Sequence, residues 1–429
     1  MSSPENPPSS TQQLAAHLFR HESGKMVATL TGIYGARNLQ LAEDVVQEAL
    51  VRALQTWPFG IPDNPAGWLL RTAKNLALDQ LRREKNFRAK QPEISALLDQ
   101  HFSENPAQTV PEKAGLDDDQ LRMMFVCCHP ALPPETQPAL ALKTLCGFSP
   151  AEIAAAFLVS EAAISKRLVR ARQKLRSDDI PFRIPSENEL PARLDAVLET
   201  IYLLFNEGHK VSDDDNIFRP DLCHEAIRLC TILINHPAGN ESRCHALLAL
   251  MNFTVARFPA RTDAAGNLLL LENQDRQDWD TRLIQTGFFH FQQSSNTEKL
   301  SAYHLQAGIA ACHAIASDSN QTDWPRILKL YDQLETLQPS PVVTLNRAVA
   351  IAKIRGPEAA IAALKSANSI ARLENYPLLH AVLGDLEFQQ KNTKVAANHF
   401  RRALELTNTK PERKLLTKRL KNCLAHDHE

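Results

Sequence analysis

The chain has 429 residues, with 48 Lys and Arg against 49 Asp and Glu, for a formal net charge of −1. That length exceeds what one core serves and predicts two to four domains. The near-neutral balance excludes a protein coated in positive charge that binds nucleic acid indiscriminately. Glycine is scarce at 14 residues and strand-like alternation is nearly absent, so the expected fold class is all-α. No apolar run approaches the ~20 residues that cross a bilayer. Met1 to Gln13 is polar and rich in Pro and Ser, which suits a disordered lead rather than a signal peptide. A cytoplasmic protein without membrane insertion is therefore expected. Eight cysteines occur without a repeated pair spacing and read as buried thiols of a reducing compartment. Cys127-Cys128-His129 has metal-ligand chemistry, but no second pair stands at a standard distance, so packing is the reading taken and no metal is expected. A glycine-rich phosphate loop, an H-E-x-x-H and a G-x-S-x-G elbow are all missing, so no catalytic residue and no cofactor is assigned.

Residues 14–88 read as one helical unit. Val46, Ala49, Leu50, Ala53 and Trp57 form a core stripe at helical spacing. The other face carries Leu41, Asp44, Val45, Glu48, Arg52 and Gln55. Exposed aliphatics among charges suit a protein-docking surface; equally, Leu41 and Val45 suit packing on the preceding helix. Asp63-Asn64-Pro65-Ala66-Gly67 breaks the chain and starts a helix with Leu70, Ala73, Ala77 and Leu81 inward. Opposite them Trp68, Arg71, Asn75, Asp79 and Arg82 line up, and Arg83, Lys85, Arg88 and Lys90 extend the cationic track. An aromatic platform, phosphate-binding arginines and a base-pairing asparagine suit DNA with unstacked bases. The competing reading makes Trp68 a core anchor. Residues 89–115, with Pro92, Pro106 and Pro111, read as a linker.

The second unit, 116–178, contains a helix-turn-helix. Ser149-Pro150-Ala151-Glu152 combines a serine cap, a proline at the first helical position and a glutamate that reaches back. Ile153, Ala154 and Phe157 point inward, and Ser160 caps a second helix. There Ile164, Leu168, Ala171 and Leu175 form the buried stripe. Lys166, Arg167, Arg170 and Lys174 lie opposite, with Ser165, Arg172 and Arg176 on the flank. A cationic second helix after a tight turn is the layout that enters a major groove.

Residues 190–429 read as a long helical array. Trp324, Ile327, Leu328, Tyr331, Leu334 and Leu337 mark an amphipathic helix. Ala348, Ala360, Leu364 and Ala367 recur at a period of 36 as Gly384, Ala396, Phe400 and Ala403, which fits a tetratricopeptide-like pattern with a slightly lengthened loop. Pro259 to Asp263 and Glu272 to Arg276 are polar elements read as inter-helix ion pairing, with a ligand or partner site as the alternative. His224 and His304 read as packed core residues.

In this order the units resemble a sigma-70-family sigma factor of the extracytoplasmic-function type. Leu41 to Leu50 resembles the region 2 helix that docks on the polymerase β′ clamp, which implies Leu41, Asp44, Val45, Glu48 and Arg52 as docking residues. Gly67-Trp68-Leu69 with Asn75, Asp79, Arg82 and Arg83 resembles the segment that melts and reads the −10 element. Ser149 to Arg176 resembles region 4, which reads the −35 element and binds the β flap. Phe125 to Leu132, Tyr202 to Gly208 and Asn273 to Arg276 are similar to strings of a subgroup with a tetratricopeptide-like extension; His209-Lys210 departs from that pattern. The resemblance implies core RNA polymerase and promoter DNA as partners, no enzymatic activity, and an anti-sigma factor or other protein partner for the array. The rival reading is a one-component helix-turn-helix regulator with a sensing helical domain.

Overall fold

The computed structural model describes residues 10–83, 113–157, 159–186, 188–209, 218–297, 299–367 and 370–425. Lys85, Arg88, Lys90 and Lys210 lie outside the described residues, as do the side chains of Arg82 and Arg83. Every regular element among the described residues is helical; a lone bridge, Thr262 to Leu268, is the exception. The fold is all-α. The chain divides into two compact units, Met1–Leu204 and Phe205–Glu429.

The first unit contains α1 (Ser10–Tyr34), α2 (Leu39–Thr56), α3 (Pro65–Arg83), α4 (Lys113–Cys127), α5 (Gln137–Cys146), α6 (Pro150–Phe157), α7 (Glu161–Ser177) and the start of α8 (Leu190–His209). Two boundaries differ from the sequence reading. Helix α1 begins at Ser10, inside the expected disordered lead, and α4 begins at Lys113, inside the expected linker. The α2 stripe is buried as its spacing predicts, from Val46 to Trp57. In α3 the stripe is Leu69, Ala73, Ala77 and Leu81; Leu69 rather than Leu70 takes the inward position, because residues 69, 73 and 77 share the i, i+4 ridge.

Helix α1 joins the two cationic segments into one body by packing on α2, α4 and α5. At Gly24 a β-carbon would stand 1.8 Å from the Leu145 carbonyl oxygen, so only a glycine lets α1 cross the end of α5. The expectation of modules separated by a tether is thus replaced, in this unit, by a shared core. Cys127 and Cys128 are fully buried inside it, and burial pushes the Cys128 thiol up to about 12. The neighbouring His129 accepts at Nδ1 from the Ala131 amide at 3.1 Å, which forms a turn. The Cys-Cys-His string packs and turns the chain.

The second unit continues with α9 (Pro220–Asn235), α10 (Ser242–Val255), α11 (Thr281–Gln293), α12 (Ala302–Ile315), α13 (Trp324–Leu337), α14 (Pro341–Arg355), α15 (Pro357–Ser366), α16 (Pro377–Gln389), α17 (Thr393–Leu406) and α18 (Lys410–Ala425). Ala348, Ala360, Leu364, Ala396, Phe400 and Ala403 are all buried. A β-carbon on Gly384 would come within 2.7 Å of the Phe400 ring, so the small residue admits the aromatic between paired helices. Ala367 breaks the correspondence: it caps α15 and is half-buried, whereas Ala403 lies inside α17. Leu337 is also displaced from the expected stripe, at 50 % exposure.

The polar elements fasten loops more by carbonyls and rings than by ion pairs. Arg261 stacks 3.7 Å above Phe218 and donates to the His209 carbonyl. Arg276 donates to the carbonyls of His313 and Ala316. Among the described residues Glu272 alone of these forms an ion pair, with Lys353 at 2.9 Å. Buried His304 bonds Ser242 Oγ at 2.8 Å, as a core histidine should, but His224 is exposed because it lies off the buried Leu222, Cys223 and Ala226 ridge of α9.

Candidate nucleic-acid interface

Helices α6 and α7 are started by the side chains that the sequence supplies for it. The Ser149 amide donates to Glu152 Oε2 at 2.8 Å, and the Glu152 amide donates to Ser149 Oγ at 3.2 Å. This reciprocal pair satisfies two amides that α6 leaves without helical partners. Ser160 Oγ accepts from the Ala163 amide at 3.3 Å and caps α7. Ile164, Leu168, Ala171 and Leu175 then seat α7 on the core. Fixing those four inward fixes the opposite face outward.

On that face Lys166, Arg170 and Lys174 are exposed, while Ser165 and Arg167 are half-buried. Lys174 is held by Asp178 at 2.8 Å, and this bond together with one from Ser177 holds the Asp178 carboxyl below its usual range. Val169, 61 % exposed between these cations, was missed by sequence reasoning. An aliphatic on a solvent face of a charged helix is the signal that could have found it, since a methyl contact reads thymine. Arg172 faces elsewhere: its Nε donates to Glu43 of α2 at 2.8 Å, and Thr144 Oγ1 of α5 donates to the other oxygen at 3.1 Å. Side-chain exposures of 19 % and 12 % place this pair largely out of solvent.

Helix α3 is started by Asn64, whose Oδ1 accepts from the Gly67 amide at 2.8 Å. Arg71, Asn75 and Asp79 stand exposed along one strip. Trp68 is half-buried, its ring edge-on to buried Trp57 with centroids 5.7 Å apart. The core-anchor reading thus accounts for one side of Trp68 and leaves the other side at the surface. Phe59, in the turn before α3, is 93 % exposed and was not singled out from the sequence. A phenylalanine wholly in water, beside a glycine and two prolines, is an unusual surface residue.

The expected docking face of α2 divides. Asp44, Glu48 and Arg52 are exposed, with Glu48 and Arg52 paired at 3.1 Å. Leu41 is half-buried, and Val45 is corrected: at 3 % exposure it belongs to the core, because it sits one residue before Val46 on a helix buried along a wide stripe. The exposed aliphatics of α2 are instead Val51 and Leu54, at 48 % and 44 %.

Residues 18–87 match the family described as Sigma-70 region 2, and residues 122–175 that described as Sigma-70, region 4. Residues 193–295 match a family of unknown function, DUF6596. The chain is 42 % identical over 378 residues to "Uncharacterized protein R00370" of Rhizobium meliloti, covering 88 % of each chain. It is 30 % identical over 135 residues to "ECF RNA polymerase sigma factor SigE" of Mycolicibacterium smegmatis, which covers 32 % of this chain and 50 % of that one. It is 25 % identical over 249 residues to "Probable ECF RNA polymerase sigma factor SigI" of Mycobacterium tuberculosis, covering 54 % and 83 %. No solved structure matches. No described helix is long and apolar enough to cross a membrane.

Proposed function

Since the chain belongs to the sigma-70 family, as a sigma factor of the extracytoplasmic-function type with a helical extension, we propose that it directs core RNA polymerase to specific promoters and helps melt the −10 element. The observation that carries this reading is the outward set Lys166, Arg170 and Lys174 on a Ser160-capped, core-anchored helix. Cations fixed on the outer face of α7 reach phosphates and base edges of a major groove. Ser165 and Arg167, half-buried beside them, complete the −35 contact. Arg71, Asn75 and Asp79, with the exposed side of Trp68, take the separated −10 strand, continued by Arg82 and Arg83. Phe59 offers that strand a further stacking face. Asp44, Glu48 and Arg52, flanked by Leu41, dock α2 on the polymerase clamp, and Val45 supports them from beneath. The protein acts by binding and positioning in the cytoplasm and has no chemistry of its own.

The compact first unit must open to do this. A body of about 200 residues has a radius of gyration of ~16 Å, hence a span of about 40 Å. Two promoter elements two helical turns apart lie about 70 Å from centre to centre. The Arg172–Glu43 pair belongs to the closed arrangement, and polymerase supplies the differential binding that separates α7 from α2. The extension, with tetratricopeptide-like helix pairs, recruits or answers to a protein partner such as an anti-sigma factor.

Run-off transcription with core polymerase tests the assignment. Arg170→Ala is expected to weaken initiation on a −35-dependent template while the helical signal stays intact. Unchanged transcription would remove Arg170 from the interface.

A further inference from the structure

Outside the surfaces assigned to DNA and polymerase, the second unit contains a half-open cavity of about 490 Å³ between the Leu270–Arg276 loop, the end of α12, and helices α14, α16 and α18. That volume falls in the range of sites for small organic ligands. Its walls are apolar where α14 and α16 face it, through Val349, Ala352 and Val382. Its charged groups are not balanced. Lys353 is paired with Glu272 at 2.9 Å, and Arg419 with Asp385 at 2.7 Å. Arg276 lines the cavity too and forms no ion pair among the described residues. Its terminal nitrogens donate to the carbonyls of His313 and Ala316 and to Thr322 Oγ1, which locks the guanidinium in place. Its Nε is buried without a partner, and so is Nδ1 of His313, a second lining residue.

A fixed cation without a paired carboxylate, at the wall of an apolar cavity, favours an anion there. We propose that this cavity binds a small organic anion, of the carboxylate type, whose charged head meets Arg276 and His313 and whose apolar body lies along α14 and α16. Burial holds the His313 imidazole down to about 4, with Arg257 and Arg276 adding to the effect, so near pH 7 the ring is neutral and brings no second cation to the site. The proposal concerns the second unit alone and stands or falls separately from the promoter assignment.

The test is calorimetric titration of the full chain with decanoate, decylamine and decanol, each below its micelle concentration. Decanoate is expected to bind saturably at one site and at least ~10-fold more tightly than the other two. Ala352→Trp, which fills the cavity from α14, is expected to weaken decanoate at least ~10-fold while the thermal midpoint of the helical signal holds. Val382→Trp repeats the block from α16. Absence of saturable binding, equal binding of the amine or the alcohol, or wild-type affinity in both folded tryptophan variants would each overturn the proposal. If neither tryptophan variant folds, the comparison of the three head groups on the native chain decides it.

Discussion

Replacing Glu43 by glutamine removes one charge from the contact that ties α7 to α2 and leaves its shape. At a charge separation near 4 Å and an effective dielectric of about 20, the attraction is about 4 kcal/mol. Ordering the Arg172 side chain returns up to ~2 kcal/mol of that. A net coupling of about 2 kcal/mol remains, within the ~1.5–3 kcal/mol of hydrogen bonds to charged groups. The discount applied to exposed pairs is small here, because the two side chains are only 19 % and 12 % exposed. The assay is hydrogen exchange of the full chain, read by mass spectrometry on peptides from α2 and α7, in a cycle of Glu43→Gln, Arg172→Gln and the double variant. Each single change is expected to raise local opening about 30-fold, and the double to add little more. Glutamine's one carbonyl oxygen keeps the Thr144 bond only by turning its amide NH2 toward Arg172 Nε, donor against donor, so the effect reports the loss of the whole charge-assisted bond. A coupling under about 0.5 kcal/mol, the usual error of additivity, with α7 exchange unchanged, would refute the view that this pair holds the unit closed.

Gly384→Ala should lower the melting temperature through an overpacking cost of about 1–3 kcal/mol, since its β-carbon meets the Phe400 ring at 2.7 Å. Adding Phe400→Leu should recover part of the loss, and an unchanged melt would show that the helices can separate freely. Acid should weaken the second unit. His313 is held down to about 4 when folded, chiefly by burial, so the unfolded chain binds more protons between about pH 4 and 6.5, and stability falls as pH drops through that window. At pH 5 this costs about 2 kcal/mol relative to pH 7.5, and His313→Gln should flatten the profile by that amount; an equally steep profile in the variant would assign the acid loss elsewhere. Val45→Ala should destabilise the first unit by about 1–3 kcal/mol, as a buried truncation does, whereas Glu48→Ala should change stability by no more than about 0.5 kcal/mol and weaken polymerase binding instead. Equal effects of the two on stability would erase the distinction between core and docking positions.

Local features could be read from the sequence because they depend on neighbours within a turn or two. Ser149 and Glu152 cap each other as their spacing predicts, and the stripe Ile164, Leu168, Ala171, Leu175 is buried residue for residue. The α2 stripe follows the same logic, but helical spacing does not reveal how wide a buried arc becomes, so the sequence leaves Val45 open between docking and packing. A proline-rich stretch between two cationic segments suggested independent modules. Gly24 and Glu43 carry the contrary information only when α1 is seen with α5 and α2 with α7, 121 and 129 positions along the chain. Phe59 and Val169 escaped because exposure of an apolar side chain has no periodic signature. The sequence offers the Glu272–Arg276 stretch as a ligand or partner site only as an alternative, because the cavity's walls come from loops and six helices spread over residues 270–422.

Association of the purified full-length chain with bacterial core RNA polymerase, followed by promoter-dependent run-off synthesis, tests the central claim most directly. The account predicts saturable one-to-one binding, initiation that requires the chain, and almost no promoter binding without polymerase. Tight promoter binding by the chain alone, with no association to core enzyme, would contradict it.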